Sequence, residues 1–159
     1  MHQQSTSHLF MIEPVEFYAN EQTAYTNHYQ KAVSDEAADK IAEKALTEFH
    51  DLKNAIEKRG IKVTTLLGSK DCPDHIFPNW FITFDDKTMQ IFSMMAPNRR
   101  EEKKPHMIQH LTETYELTDD MSDLEDKEIF LESTSSMVFD RVNRICLLYT
   151  SPSPRDPSI

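Results

Sequence analysis

Ala38, Ile41, Ala42, Ala45, Phe49, Leu52 and Ile56 recur at intervals of three and four, the spacing that aligns side chains along one stripe of an α-helix. Both ends carry helix signals. Ser34 can cap the start, and Asp35 and Glu36 suit the positive end of the dipole. Lys58 and Arg59 precede Gly60, which can take the left-handed conformation that stops a helix. Apolar residues 9–12, ended by Pro14, read as a strand, and the alternating, β-branched residues 61–67 read as a buried one. Residues 1–8 read as a frayed tail and 17–30 as a loop rich in amide and aromatic side chains. A helix between two strands is the unit of an α/β fold.

A second such unit follows. Residues 80–84 and 89–94 flank Asp85-Asp86-Lys87, which predicts a hairpin. Pro105 fits the first turn of another helix, where its missing N–H costs nothing, with Met107, Ile108 and Leu111 on the buried face. Residues 115–117 and 129–132 read as two further strands. From Cys146 no periodicity of either kind remains, and residues 146–156 resemble one reading frame of a transposase-type sequencing-library adapter. The expectation is a domain within residues 1–145 and a foreign tail at 146–159.

Composition narrows the functional classes. The 159 residues carry 17 Lys and Arg against 27 Asp and Glu, a formal charge of -10, which disfavours nucleic acid and anionic membrane as partners and leaves a small molecule as the expected ligand. With 38% hydrophobic residues a packed core is within reach. No apolar run approaches the roughly 20 residues that span a bilayer, and the polar start lacks the order of a signal peptide, so a cytoplasmic location is favoured. Two glycines, Gly60 and Gly68, are too few for a GxGxxG or P-loop phosphate cradle. Cys72 and Cys146 fit neither a disulfide framework nor a zinc spacing.

Three segments could carry chemistry. Asp74 and Asn79, just before Trp80, could converge on a planar cation, a carboxylate accepting N–H bonds beside an aromatic ring; the plainer reading is an Asp-containing turn with Trp80 in the core. Arg99 and Arg100 sit awkwardly at the expected start of a helix, so they could fork onto a substrate carboxylate; solvated surface charge is the alternative. Glu132 closes an apolar run before a hydroxyl-rich turn and could be desolvated for proton handling, or could point to water. His106 and His110 lack a third ligand and an HExxH glutamate, so they read as surface histidines rather than a metal site. The acidic stretch 119–128 reads as a solvated loop. Nothing fixes a base beside Cys72, which makes it a poor nucleophile candidate.

Four stretches, MIEPVEFYANEQTAYTNHYQ, PDHIFPNWF, APNRREEK and FLESTSSMVFDRVNR, together resemble the guanidino-group-modifying (amidinotransferase) superfamily. Within it they are most similar to dimethylargininases, arginine-deiminase-like proteins and bacterial citrulline hydrolases. The resemblance implies a pentein-type α/β propeller of which this chain holds the N-terminal modules only. It implies covalent hydrolysis of a guanidino or ureido group in arginine-like amino acids, with the nucleophilic cysteine and a histidine in later sequence and no metal or organic cofactor. By that likeness Asp74 binds substrate nitrogen, Glu132 orients the guanidinium and assists proton transfer, and Arg99 or Arg100 meets the amino-acid carboxylate. Asn79 stands where relatives have Glu or Asn, and Asn27 and Gln30 border the channel. Ser133 and Ser135 replace the family's usual glycines, and Asn79 stands alone where citrulline hydrolases show two asparagines. An inactive amino-acid-binding relative, or an acidic α/β interaction domain without a pocket, are the alternatives.

Overall fold

The computed structural model describes residues 4–24 and 38–148, which form two compact units: Ser5–Pro78, and Asn79 onward together with Gln4. In the first unit, β1 (His8–Glu13) is followed by a single helical turn α1 (Glu21–Ala24), the long helix α2 (Ala38–Glu57) and β2 (Lys62–Leu67). β1 and β2 pair in parallel from His8 opposite Lys62 to Glu13 opposite Leu67. Parallel strands need a long crossover, and α2 supplies it. The short helix α1 interrupts the loop expected over 17–30, and the Ser34 cap lies outside the described residues.

The stripe on α2 is confirmed unevenly. Phe49 is buried, whereas Leu52 remains 55% exposed. Both line a mostly apolar cavity of about 620 Å³, together with Phe10, Phe17, Ile41 and Phe77. The strand β2 is half-buried rather than fully buried as its composition suggested, because among the described residues its sheet has only one other strand. Gly60 adopts φ +79 after the helix, and its N–H bonds the Glu57 carbonyl at 2.9 Å, the expected stop. Gly68 has a different reason to be glycine. Its N–H donates to the Glu13 carbonyl at 2.8 Å, and a Cβ there would lie 2.8 Å from that same oxygen.

The second unit opens with β3 (Phe81–Thr83) and β4 (Thr88–Ile91), the expected antiparallel hairpin, turned at Lys87 with φ 68. Next come α3 (Pro97–Arg100), α4 (Pro105–Thr112) and β5 (Glu116–Asp120), which joins β4 in parallel across an irregularity between Met89 and Gln90. Pro105 starts α4 as expected, and Met107 and Leu111 are its buried residues. Trp80, Ile82, Met89, Ile91, Met94 and Met107 form the core.

The acidic stretch is more ordered than a loop, with Asp119 and Asp120 ending β5 and a 3-10 helix over Ser122–Lys127. Residues 129–132, expected as a strand, pair with no strand among the described residues; the Leu131 N–H bonds Ser93 instead, at 3.2 Å to its carbonyl and 3.0 Å to Oγ. A helical turn α5 (Ser133–Ser136) leads into β6 (Met137–Asp140) and antiparallel β7 (Ile145–Leu148). Strand pairing thus continues into Cys146, Leu147 and Leu148. The turn is held by Asp140, whose carboxylate accepts the Asn143 N–H at 2.9 Å and its amide at 2.7 Å. Among the described residues no helix is long and apolar enough to cross a membrane.

Two measurements test these contacts. Gly68→Ala must push β1 from β2 and should cost about 1–3 kcal/mol in urea unfolding; an unchanged midpoint would contradict the close approach. The side-chain and backbone donors of Asn143 hold the Asp140 carboxyl below its ordinary 3.8. A depressed carboxylate stabilises above its unfolded pKa and loses that stabilisation as pH falls through the folded one. The β6–β7 hairpin should therefore loosen below pH 3.8, seen as converging amide shifts of Val138 and Leu147 by NMR. Shifts that hold steady down to about pH 2 would count against the turn.

Candidate active site

The residues singled out by sequence fall in both units, except Asn27 and Gln30, which lie outside the described residues. In the first unit Asp74 is only 6% exposed. Its Oδ2 accepts the Asn20 amide at 2.8 Å and the Thr23 hydroxyl at 3.1 Å. Asn20 also starts α1, its carbonyl taking the N–H groups of Thr23 and Ala24. The local fold of the N-terminal segment thus delivers two neutral donors to one carboxylate. Nearby on the chain, burial pushes the Tyr18 phenol above its ordinary range, with the negative charges of Glu16 and Asp71 adding to it.

In the second unit Arg99 approaches Glu132, and Asn79 is bonded to the turn that follows Glu132. Glu132 is the N-terminal flanking residue of α5, in extended conformation. Its Oε1 accepts the Met95 N–H at 3.1 Å. Its Oε2 lies 3.5 Å from Ser135 Oγ and 3.7 Å from Arg99 Nη1, and makes no shorter hydrogen bond among the described residues. The side chain is 14% exposed, so the acid is largely desolvated rather than turned to water. The Thr134 hydroxyl, in α5, donates to Asn79 Oδ1 at 2.7 Å. Buried Ser133 bonds the Phe81 carbonyl at 3.1 Å. Neither Ser133 nor Ser135 has a positive φ, so neither position requires glycine.

The arginines correct the sequence reading twice. They end α3 rather than begin a helix, where the negative end of the dipole favours them. Nor are they solvated surface charge. Arg99 is 6% exposed and forks onto Glu102, with Nε to Oε1 at 3.0 Å and Nη2 to Oε2 at 3.3 Å. Arg100 donates from Nε and Nη2 to the Met94 and Met95 carbonyls, both at 3.0 Å, and lies over the Phe130 ring at 5.5 Å.

Sequence reasoning missed Glu102, Thr134, Lys103 and Glu125. The i,i+3 spacing of Arg99 and Glu102 was the one available signal. Glu125 accepts the Met94 N–H at 2.8 Å and pairs with Lys103, which also donates to Ser122 Oγ at 2.8 Å. Trp80 is fully buried against Phe81, ring centroids 4.5 Å apart; it is a core residue, not an open face for a cation. Cys72 is buried and Cys146 exposed. His106 is exposed, and His110 faces Glu113 at 3.7 Å. Among the described residues, no sequence-predicted site residue lines the apolar cavity of the first unit.

The described residues thus combine a mixed α/β architecture with a largely desolvated acid beside a guanidinium held by a second carboxylate. A family model described as N,N dimethylarginine dimethylhydrolase, eukaryotic, matches residues 13–157, and the chain belongs to that family. Among solved structures it is similar to unliganded ArgZ, an arginine dihydrolase from the ornithine–ammonia cycle in cyanobacteria, with TM-score 0.65 and 18% identity over 94% of this chain and 21% of that one. The substrate-bound N-terminal domain of ArgZ, in a mutant form, gives the same score and identity over 51% of its length. Unliganded AgrE follows at TM-score 0.61 and 15% identity, over 87% of this chain and 19% of its own. The chain thus spans about half or less of the structures it matches. No curated protein matches it.

The Lys103–Glu125 pair generates its own test. Both side chains are about nine-tenths buried, and Glu125→Ala would strand an ammonium and the Met94 N–H. The expected loss is about 3–5 kcal/mol by chemical denaturation. A loss below about 1 kcal/mol would show that water replaces the carboxylate freely.

Proposed function

We propose that the whole protein is a hydrolase of guanidino or ureido groups in an arginine-like amino acid, an arginine derivative or citrulline. The observation that carries this is Glu132: one oxygen is fixed by the Met95 N–H, and the other, among the described residues, has no hydrogen bond shorter than the 3.5 Å one from Ser135 and faces a guanidinium, that of Arg99. A carboxylate so held is matched to the flat N–H edge of a substrate head group. Glu132 grips that edge and assists proton transfer. Asp74 takes a further substrate nitrogen, and Asn79 takes a nitrogen or the ureido oxygen. Arg99 or Arg100 meets the substrate carboxylate; each already spends two donors within the protein, on Glu102 and on two carbonyls respectively.

Hydrolysis proceeds through a cysteine thiolate attacking the central carbon, with a histidine moving protons. Both residues are placed in sequence beyond these 159 residues, in further modules that complete an α/β propeller. Cys72 is 2% exposed, a poor position for a nucleophile. Residues 1–145 then form the N-terminal part of a catalytic domain, with 146–159 foreign to it.

The test is a product assay on the protein expressed from its complete coding region. Glu132→Gln and Asp74→Asn should each lower kcat/KM by about a hundredfold or more, while Cys72→Ala leaves it within about twofold. A complete sequence without a later cysteine and histidine, or full activity in Glu132→Gln, would overturn the reading.

A further inference from the structure

Glu102 has no place in the chemistry proposed above, yet its side chain is 0% exposed and carries a charge. Burying a carboxylate is costly unless it is paired, so its geometry is informative. It takes the Nε and Nη2 edge of Arg99 in a two-bond fork, which leaves the Nη1 side of the same guanidinium 3.7 Å from Glu132 Oε2. At that separation the ion pair is not closed by a hydrogen bond. Two carboxylates face one arginine here, and Glu102 makes the closer contacts.

The arrangement has a chemical consequence. Arg99 ends in the same planar group that the substrate is proposed to present to Glu132. Released from Glu102, it could turn its own fork onto Glu132 and fill the acceptor that a ligand needs. We propose that Glu102 is a positioning residue: by binding Arg99 on one edge it keeps the arginine from capturing Glu132, so the acid stays open to a guanidinium from outside. This rests on the reading of Glu132 as the head-group acceptor. The effect is exerted on ligand affinity, since a captured Glu132 must first be freed.

The experiment separates the two claims. N-butylguanidine carries the head group without an amino-acid carboxylate, so it probes Glu132 and not a carboxylate contact of Arg99. Its binding to the protein expressed from its complete coding region is followed by NMR titration of the Met95 and Ser135 amides. Glu102→Gln should weaken binding on the order of tenfold, Arg99→Met should bind at least as tightly as the wild type, and the Arg99→Met, Glu102→Gln double variant should return to within about threefold of it. Rescue by removing a second residue is not what a merely structural role of Glu102 produces. Unchanged affinity in Glu102→Gln, or a double variant as weak as the single one, overturns the proposal. If Glu102→Gln fails to fold, Arg99→Met decides alone, and weaker binding than wild type overturns it. A wild-type chain that does not bind the probe, or a Glu132→Gln chain that binds it as well, removes instead the assignment of Glu132.

Discussion

Residues 92–95 are buried or nearly so, with Phe92, Ser93 and Met94 at 2% exposure or less, yet they belong to no strand or helix. Buried peptide groups must be paired somewhere. Charged side chains do much of it here: Lys103 to the Phe92 carbonyl, Glu125 and Glu132 to the N–H groups of Met94 and Met95, and Arg100 to both of their carbonyls. The segment is therefore a point where the sheet, α3, the 3-10 helix and α5 are tied together by charge-assisted bonds, which are stronger than neutral ones. Glu132 is one of these ties. Half of its carboxylate serves the fold, which is why the other half is held in a defined direction.

What the sequence made legible divides along range of interaction. Helices α2 and α4, the strand pair around α2 and the β3–β4 hairpin follow from spacings of a few residues and from Gly60, Asp85-Asp86-Lys87 and Pro105, all local signals. The network around residues 92–95 was not legible, because its partners are 31 and 37 residues apart at the Glu125 and Glu132 contacts, and no periodicity marks such pairs. The same blindness explains residues 129–132. Their apolar run looks like a strand, but its bonding goes to Ser93 rather than to a neighbouring strand.

The site residues were legible in a different way. Asp74, Asn79, Arg99 and Glu132 were reached through resemblance of whole segments, and the physical readings alone left each one between a functional and a plain alternative. Burial decides part of this: Arg99 and Glu132 are not solvated charges, and Trp80 is a core residue. Glu102 went unremarked because a glutamate three residues after an arginine is common on helix surfaces. Only its complete burial gives the pair weight.

The two acids also differ in how their charge is balanced. Asp74 accepts hydrogen bonds from the neutral donors Asn20 and Thr23. Glu132 shares one guanidinium with Glu102, so two carboxylates and one cation leave a single negative charge among the three. Desolvated net charge seeks compensation more strongly than the same charge in water. A ligand with one delocalised positive charge compensates it, whereas a neutral ligand must rely on hydrogen-bond geometry alone. Asn79 bears on that second case: Thr134 occupies its Oδ1, leaving the amide nitrogen as the group with hydrogen-bonding capacity to spare. Under the proposed function, the two carboxylates around Arg99 suit a cationic head group and the Asn79 amide suits an acceptor atom. Within that proposal, the balance between the two sets the preference between guanidino and ureido groups.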